Sequence, residues 1–134
     1  MKKTYIKILI VDDDEDIVIM LKDFISSFED QYGLEIRSAS TGVDAISSIK
    51  DFFPDVMLTD VIIPGTDGSK LASVMREYCP SSFIIGMSGF SNDDRRIASL
   101  GKFYDAFLKK PFELEEFEAI FQNAFKEMIQ KSVQ

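Results

Sequence analysis

Short apolar runs alternate along this chain with longer stretches of helical periodicity, and that alternation limits the fold more than any other feature. Ile6–Val11, Val56–Thr59, Phe83–Met87 and Ala106–Leu108 are too short for helices. Several are rich in β-branched residues or Phe, as strands buried on both faces should be. Leu34–Ala39 is a weaker fifth run. Between the runs, Asp14–Phe28 carries Ile17, Met20, Leu21, Phe24, Ile25 and Phe28 at spacings of three and four, which predicts one apolar helix face. Gly33 marks a stop after it. Val43–Phe52, Ser69–Tyr78 and Asp93–Leu100 are shorter predicted helices, with Pro54 and Pro80 as breakers beyond the first two. The last helix is the clearest, an apolar stripe from Leu114 through Phe117, Ile120, Phe121, Ala124 and Phe125 to Met128.

Five strand-helix units in 134 residues, with no internal repeat, low-complexity segment or dividing linker, predict one domain whose core spans about residues 5–128. Connections this short favour a parallel sheet with helices on both faces, a doubly wound α/β fold. Charge and composition then remove whole classes of function. Against 15 Lys plus Arg stand 23 Asp plus Glu, a formal charge of -8, so nucleic acid phosphates and anionic membrane surfaces would repel the chain. There is no His, and the single Cys79 can make no internal disulfide, which argues against zinc and fits a reducing compartment. The first apolar run is interrupted by Lys7 and ends at Asp12, too short for a secretory signal, and no run is long enough to cross a bilayer. A cytoplasmic location is the expectation.

In a doubly wound sheet, ligands bind beyond the carboxyl ends of the strands, near the point where strand order reverses. The residues there are Asp12 and Asp13 after the first run, Asp60 after the third, Ser88 after the fourth, and Lys109 and Lys110 before Pro111 after the fifth. Each has an ordinary structural explanation. Asp14, Glu15 and Asp16 suit a helix N-terminus. Asp60 and Ser88 could be turn residues, and Lys110 a solvated lysine with its stem on the surface. The spacing Asp12, Asp14, Asp16 resembles the start of a calcium loop, but Ile17 stands where Gly is needed and Asp23 where Glu is needed. Convergence at the ends of four buried runs favours a shared site over these separate accounts.

Clustered carboxylates must retain a proton or be neutralised by a cation. Hard oxygen ligands without His or Cys favour Mg²⁺. A carboxylate left over can act as a nucleophile on phosphorus, with the cation, an ammonium group and a hydroxyl stabilising charge on the transferred oxygens. Asp60 is the candidate acceptor, Asp12 and Asp13 the candidate metal ligands, and Lys110 and Ser88 the contacts to phosphoryl oxygens.

These residues, set in KILIVDDDED, DVMLTDVIIPGTDG, FIIGMSG and AFLKKPF, resemble the receiver domain of two-component response regulators over nearly the whole chain. The resemblance implies a flavodoxin-like (βα)5 fold with strand order 2-1-3-4-5. It implies a phosphoryl group taken from a phosphohistidine on a sensor histidine kinase or histidine phosphotransfer protein, which fits a chain without His. It also implies a backbone carbonyl of Ile62 on the Mg²⁺ and a cis bond between Lys110 and Pro111, the only class of peptide bond in which cis is cheap. A switch is implied as well, in which Ser88 moves toward the phosphoryl group and Phe107 turns inward. That switch would alter a partner-binding face built from the fourth predicted helix, the fifth run and the last helix. The chain departs from the family pattern in places. Ser88 stands where Thr is commoner, Gly89 where Ala is usual, and Phe103 and Tyr104 where a Gly-Ala pair is frequent. Phe90 occupies a position that affects phosphoryl lifetime.

The expectation is therefore a phosphorylation-controlled signalling module with no output domain of its own, acting through a downstream protein effector. The alternative is a receiver fragment of a larger response regulator or hybrid histidine kinase. A phosphoester hydrolase working through an aspartyl phosphate usually needs an acid two residues beyond the nucleophile, where Ile62 stands. A fold-only interaction domain would have lost the acidic pair, the acceptor or the lysine, and all are present.

Overall fold

The computed structural model describes residues 5–89 and 103–133. Five parallel strands, β1 (Tyr5–Val11), β2 (Gly33–Ala39), β3 (Val56–Asp60), β4 (Phe83–Ser88) and β5 (Ala106–Lys109), form one sheet. Their order is β2-β1-β3-β4-β5, so the expected 2-1-3-4-5 arrangement is present. The order reverses between β1 and β3, which places the crevice predicted for a ligand at those two carboxyl ends. Helices α1 (Glu15–Ser26), α2 (Gly42–Phe52) and α3 (Gly68–Tyr78) follow the first three strands, and a C-terminal helix runs Leu114–Val133. The fourth predicted helix, Asp93–Leu100, lies outside the described residues, as does Phe90.

Strand alternation divides the core into two layers. Ile6, Ile8 and Ile10 of β1, Val56 and Leu58 of β3, and Phe83, Ile85 and Met87 of β4 pack with α1 and the C-terminal helix. Leu9, Val11, Met57 and Ile84 face the other way, toward α2 and α3. The first layer is stapled by aromatic rings. Phe117, Phe121 and Phe125 are fully buried and meet Phe24, Phe28 and Tyr32 at centroid distances of 4.9–6.4 Å. Each buried Phe contributes about 1.5–3 kcal/mol of apolar transfer, enough for three of them to fix the last helix on the sheet. Among the described residues, no helix is long and apolar enough to cross a membrane.

Several boundaries differ from expectation, and ladder pairing explains the ones that matter. Asp60 and Ser88 are the last residues of β3 and β4 rather than the residues after them, because Asp60 pairs with Met87 and Ser88 with Lys109. Gly33 opens β2 opposite Tyr5 instead of merely ending a helix. Helix α1 starts one residue later than predicted because Asp14 is its N-cap, and it ends at Ser26. A short antiparallel ladder, Ile62–Ile63 against Thr66–Asp67, follows β3 and was not signalled by periodicity.

Candidate functional site

Asp12 leaves β1 with its N–H bonded to the Ala39 carbonyl at 3.1 Å, so pairing with the edge strand carries it to the sheet's rim. Its Oδ1 accepts the Asp14 N–H at 3.0 Å. Asp14 in turn caps α1, its Oδ1 accepting from the N–H groups of Asp16 (3.0 Å) and Ile17 (3.4 Å). The acidic run thus divides its labour. Asp14 is spent on the helix, as a local reading of it expects, with Glu15 and Asp16 in the first turn. Asp12 is buried, and Asp13 beside it is exposed.

Three hydrogen bonds fix Asp60 and the residue after it. The buried Thr59 hydroxyl donates to the Asp60 carbonyl at 2.9 Å, the Ile62 N–H donates to Asp60 Oδ1 at 3.0 Å, and the Val61 N–H donates to the Met87 carbonyl at 3.0 Å. Lys110 comes from the far edge of the sheet. Its N–H donates to the Ser88 carbonyl at 2.7 Å, and its bond to Pro111 is cis, as the resemblance implied. Its Nζ donates to Asp12 Oδ2 at 2.8 Å and to Asp60 Oδ2 at 3.0 Å. Burial disfavours the ammonium form, but the hydrogen bonds and charges of Asp12 and Asp60 outweigh it and hold the Lys110 pKa above its ordinary value.

The carboxylates of Asp12, Asp13 and Asp60 each offer an oxygen within 4.8 Å of the others. Three hard oxygen donors, in a chain without His, suit a small divalent cation of the Mg²⁺ type. Ile62 lies two residues past Asp60 in the short ladder, its backbone oriented by the bond to Asp60 Oδ1. Ser88 is buried at the end of the strand next to that of Asp60. Phe107 leans toward α2 and α3, half-buried, with its ring 5.0 Å from that of buried Tyr104. Packing, rather than an exposed docking patch, is therefore the role of Tyr104, while Lys109 is exposed.

Two supports escaped sequence reasoning. Thr59 is the one polar residue of its otherwise apolar run, a weak sign that its hydroxyl has a backbone partner. The loop after Asp60 is latched to the start of α2 by the Gly42 N–H, which donates to the Pro64 carbonyl at 2.7 Å. Nothing local in the sequence signals that contact.

A family model described as the response regulator receiver domain matches residues 8–122. The regulatory protein AtoC of Escherichia coli K12 is 32% identical over 120 residues, which are 90% of this chain and 25% of that protein. The transcription factor SKN7 of Candida albicans is 28% identical over 84% of this chain and 20% of its own length. The chain thus spans a quarter or less of these two relatives. Among solved structures, a chain described as a response regulator from Chloroflexus aurantiacus superposes with a TM-score of 0.77 at 28% identity, covering 89% of this chain and 96% of that one. A receiver domain protein from Methanospirillum hungatei shares the fold with a TM-score of 0.78 at 24% identity, covering 95% and 98%.

Proposed function

The chain belongs to the response regulator receiver family, and from that premise we propose that Asp60 is its phosphoacceptor. Receivers are signalling domains rather than classical enzymes, and the reaction proposed here is one this domain carries out on itself. The observation that carries it is the convergence of Asp12, Asp60 and Lys110 within hydrogen-bonding distance at the ends of β1, β3 and β5.

A carboxylate oxygen of Asp60 would form an O–P bond as the P–N bond of a donor phosphohistidine breaks. The electron pair stays on the imidazole nitrogen, which is protonated from solvent. Asp60 suits the part because its Oδ1 is oriented by the Ile62 N–H while its side chain stays 18% exposed, open to a donor. Asp12, Asp13, Asp60 and the carbonyl of Ile62 would hold Mg²⁺, which when bound neutralises charge on the phosphoryl oxygens. Lys110 supplies a fixed ammonium at the same place, and Ser88 a hydroxyl from the neighbouring strand. Phe107 is the aromatic through which packing near Ser88 reaches the β5 face, where a downstream protein would bind. The donor partner is a sensor histidine kinase or histidine phosphotransfer protein, and a reducing, cytoplasmic setting suits the lone thiol.

A second reading is favoured by the greater length of the relatives: the unit described here serves as the receiver part of a larger regulator. Both readings share one test. Incubation with Mg²⁺ and phosphoramidate is expected to add one base-labile phosphoryl group per chain, located on Asp60 by mass spectrometry. Equal labelling of Asp60→Asn would overturn the assignment.

A further inference from the structure

The face of the sheet beside Ser88 carries a notch. Gly86 and Ser88 lie two apart on β4 and so point to the same side, and Gly86 is paired directly with Phe107 across the ladder. A Cβ placed on Gly86 would stand 2.8 Å from Phe107 Cε1, 3.0 Å from its Cδ1 and 3.2 Å from Tyr104 Cδ1. Two rings therefore occupy the space that any other residue at 86 would fill. The rings are 5.0 Å apart and tilted by 55°, a favourable aromatic arrangement, and Tyr104 is 7% exposed. The backbone between them is pinned, because Asp105 exchanges bonds with the Ile84 backbone at both its N–H and its carboxylate, each 2.8 Å. Arg76 of α3 ties down the same carboxylate.

We propose that Gly86 and Tyr104 are positioning residues that form a seat for the Phe107 ring, biasing it inward while the Asp60 oxygens are still engaged by Lys110 and the Ile62 N–H. This deepens the receiver reading and rests on it. A ligand shifts a two-state equilibrium only by its differential affinity for the two states, and a state already dominant has little left to gain. The seat thus sets how much of the response at the β5 face depends on phosphorylation.

The test is nuclear magnetic resonance of the isotope-labelled full chain with Mg²⁺, before and after phosphoramidate. In the unaltered protein, cross-peaks between the Gly86 α-protons and the Phe107 ring are expected before the donor, and the donor-induced shift of the ring signals is small. Tyr104→Ala opens one wall without adding an atom, and its donor-induced shift should be at least about threefold larger. Gly86→Ala should abolish ring contact with position 86 in the donor-free protein, and the pair Gly86→Ala with Phe107→Leu should recover the thermal midpoint lost by Gly86→Ala alone. Absence of the cross-peaks in the donor-free protein, or an equal donor-induced shift in Tyr104→Ala, overturns the seat. Should Gly86→Ala fail to fold, Tyr104→Ala decides alone. Labelling of Asp60 is followed in the same samples: its failure in the unaltered protein sinks the receiver reading, while the donor-free spectra still judge the geometry.

Discussion

Lys110 and Asp60 stand 50 positions apart in the chain and 3.0 Å apart in space, joined through Nζ and Oδ2. The same nitrogen reaches Asp12, whose side chain is 1% exposed. One ammonium group thus bridges two carboxylates that would otherwise repel each other at the rim of the sheet, offsetting one of their two charges. It ties together three strands that are not all neighbours, since β5 is separated from β3 by β4.

Removing that ammonium should cost stability as well as signalling. Lys110→Met leaves the buried Asp12 charge without its cation. Breaking a fully buried pair costs about 3–5 kcal/mol, and this pair is partly open on the lysine side, so about 2–3 kcal/mol is expected. Urea unfolding of metal-free protein measures it. Lys110→Arg, which keeps the charge, should lose less, and equal stability of all three proteins would show that the bridge carries no weight.

Magnesium should stabilise the folded chain by mass action, by about 2.7 kcal/mol at a hundredfold excess over its dissociation constant. Asp13 is the place to test this, because it is exposed and its loss should leave the core intact. Asp13→Asn is expected to keep its metal-free melting temperature within about 2 degrees, since exposed substitutions rarely move stability by more than about 0.5 kcal/mol. It should lose most of the Mg²⁺-induced rise. Changing an outer-shell partner of a metal typically weakens affinity by about 10–100-fold, and removing a ligand should do no less. An undiminished rise in a thermal titration would place the cation elsewhere.

The strands were readable because burial on both faces leaves short runs with almost no polar residue, and the acids, hydroxyl and lysine stood out at their ends. Asp12, Asp60 and Lys110 could be grouped from sequence because a parallel sheet brings every strand's carboxyl end to one rim. What the sequence hid depends on partners distant in the chain. The strand assignment of Asp60 and Ser88 follows from ladder pairing with Met87 and Lys109. The notch at Gly86 exists only because β5 lies beside β4, and the latch from Gly42 to Pro64 only because the loop after β3 folds onto α2. Phe103 and Tyr104, two aromatics where the family often has a Gly-Ala pair, favour packing only slightly over a docking patch in sequence, and the burial of Tyr104 decides for packing.

Cys79 offers a pH-dependent test of the opposite end of the sheet. Burial first, and then the charge of Asp55, push its thiol pKa upward, with Lys7 pulling weakly the other way. The unfolded thiol therefore loses its proton at a lower pH than the folded one. Stability associated with this group is unaffected below the unfolded value of about 8.5 and declines as pH rises past it. Alkylation by iodoacetamide at pH 8.5 should be several-fold slower in native protein than in urea, because the thiolate is the reacting form. Equal rates would mean the thiol is neither buried nor perturbed.

The latch on the loop after the acceptor leads to a substitution whose sign runs against helix propensity. Gly42 is the first residue of α2, where replacing Gly by Ala would ordinarily gain up to about 1 kcal/mol. A Cβ there would overlap the side chain of Thr66, and its backbone N–H is bonded to the Pro64 carbonyl. Overpacking of this kind costs about 1–3 kcal/mol, which exceeds the propensity gain. Gly42→Ala is thus expected to be destabilised by about 1–2 kcal/mol in urea unfolding. The double substitution with Thr66→Gly, which removes both the Cγ2 and the Cβ that the new methyl group would meet, should lose clearly less than the sum of the two single changes, because both act on one contact. Additive losses would mean that the loop carrying Val61 to Thr66 is not anchored on α2, and that the position of Asp60 owes nothing to that helix.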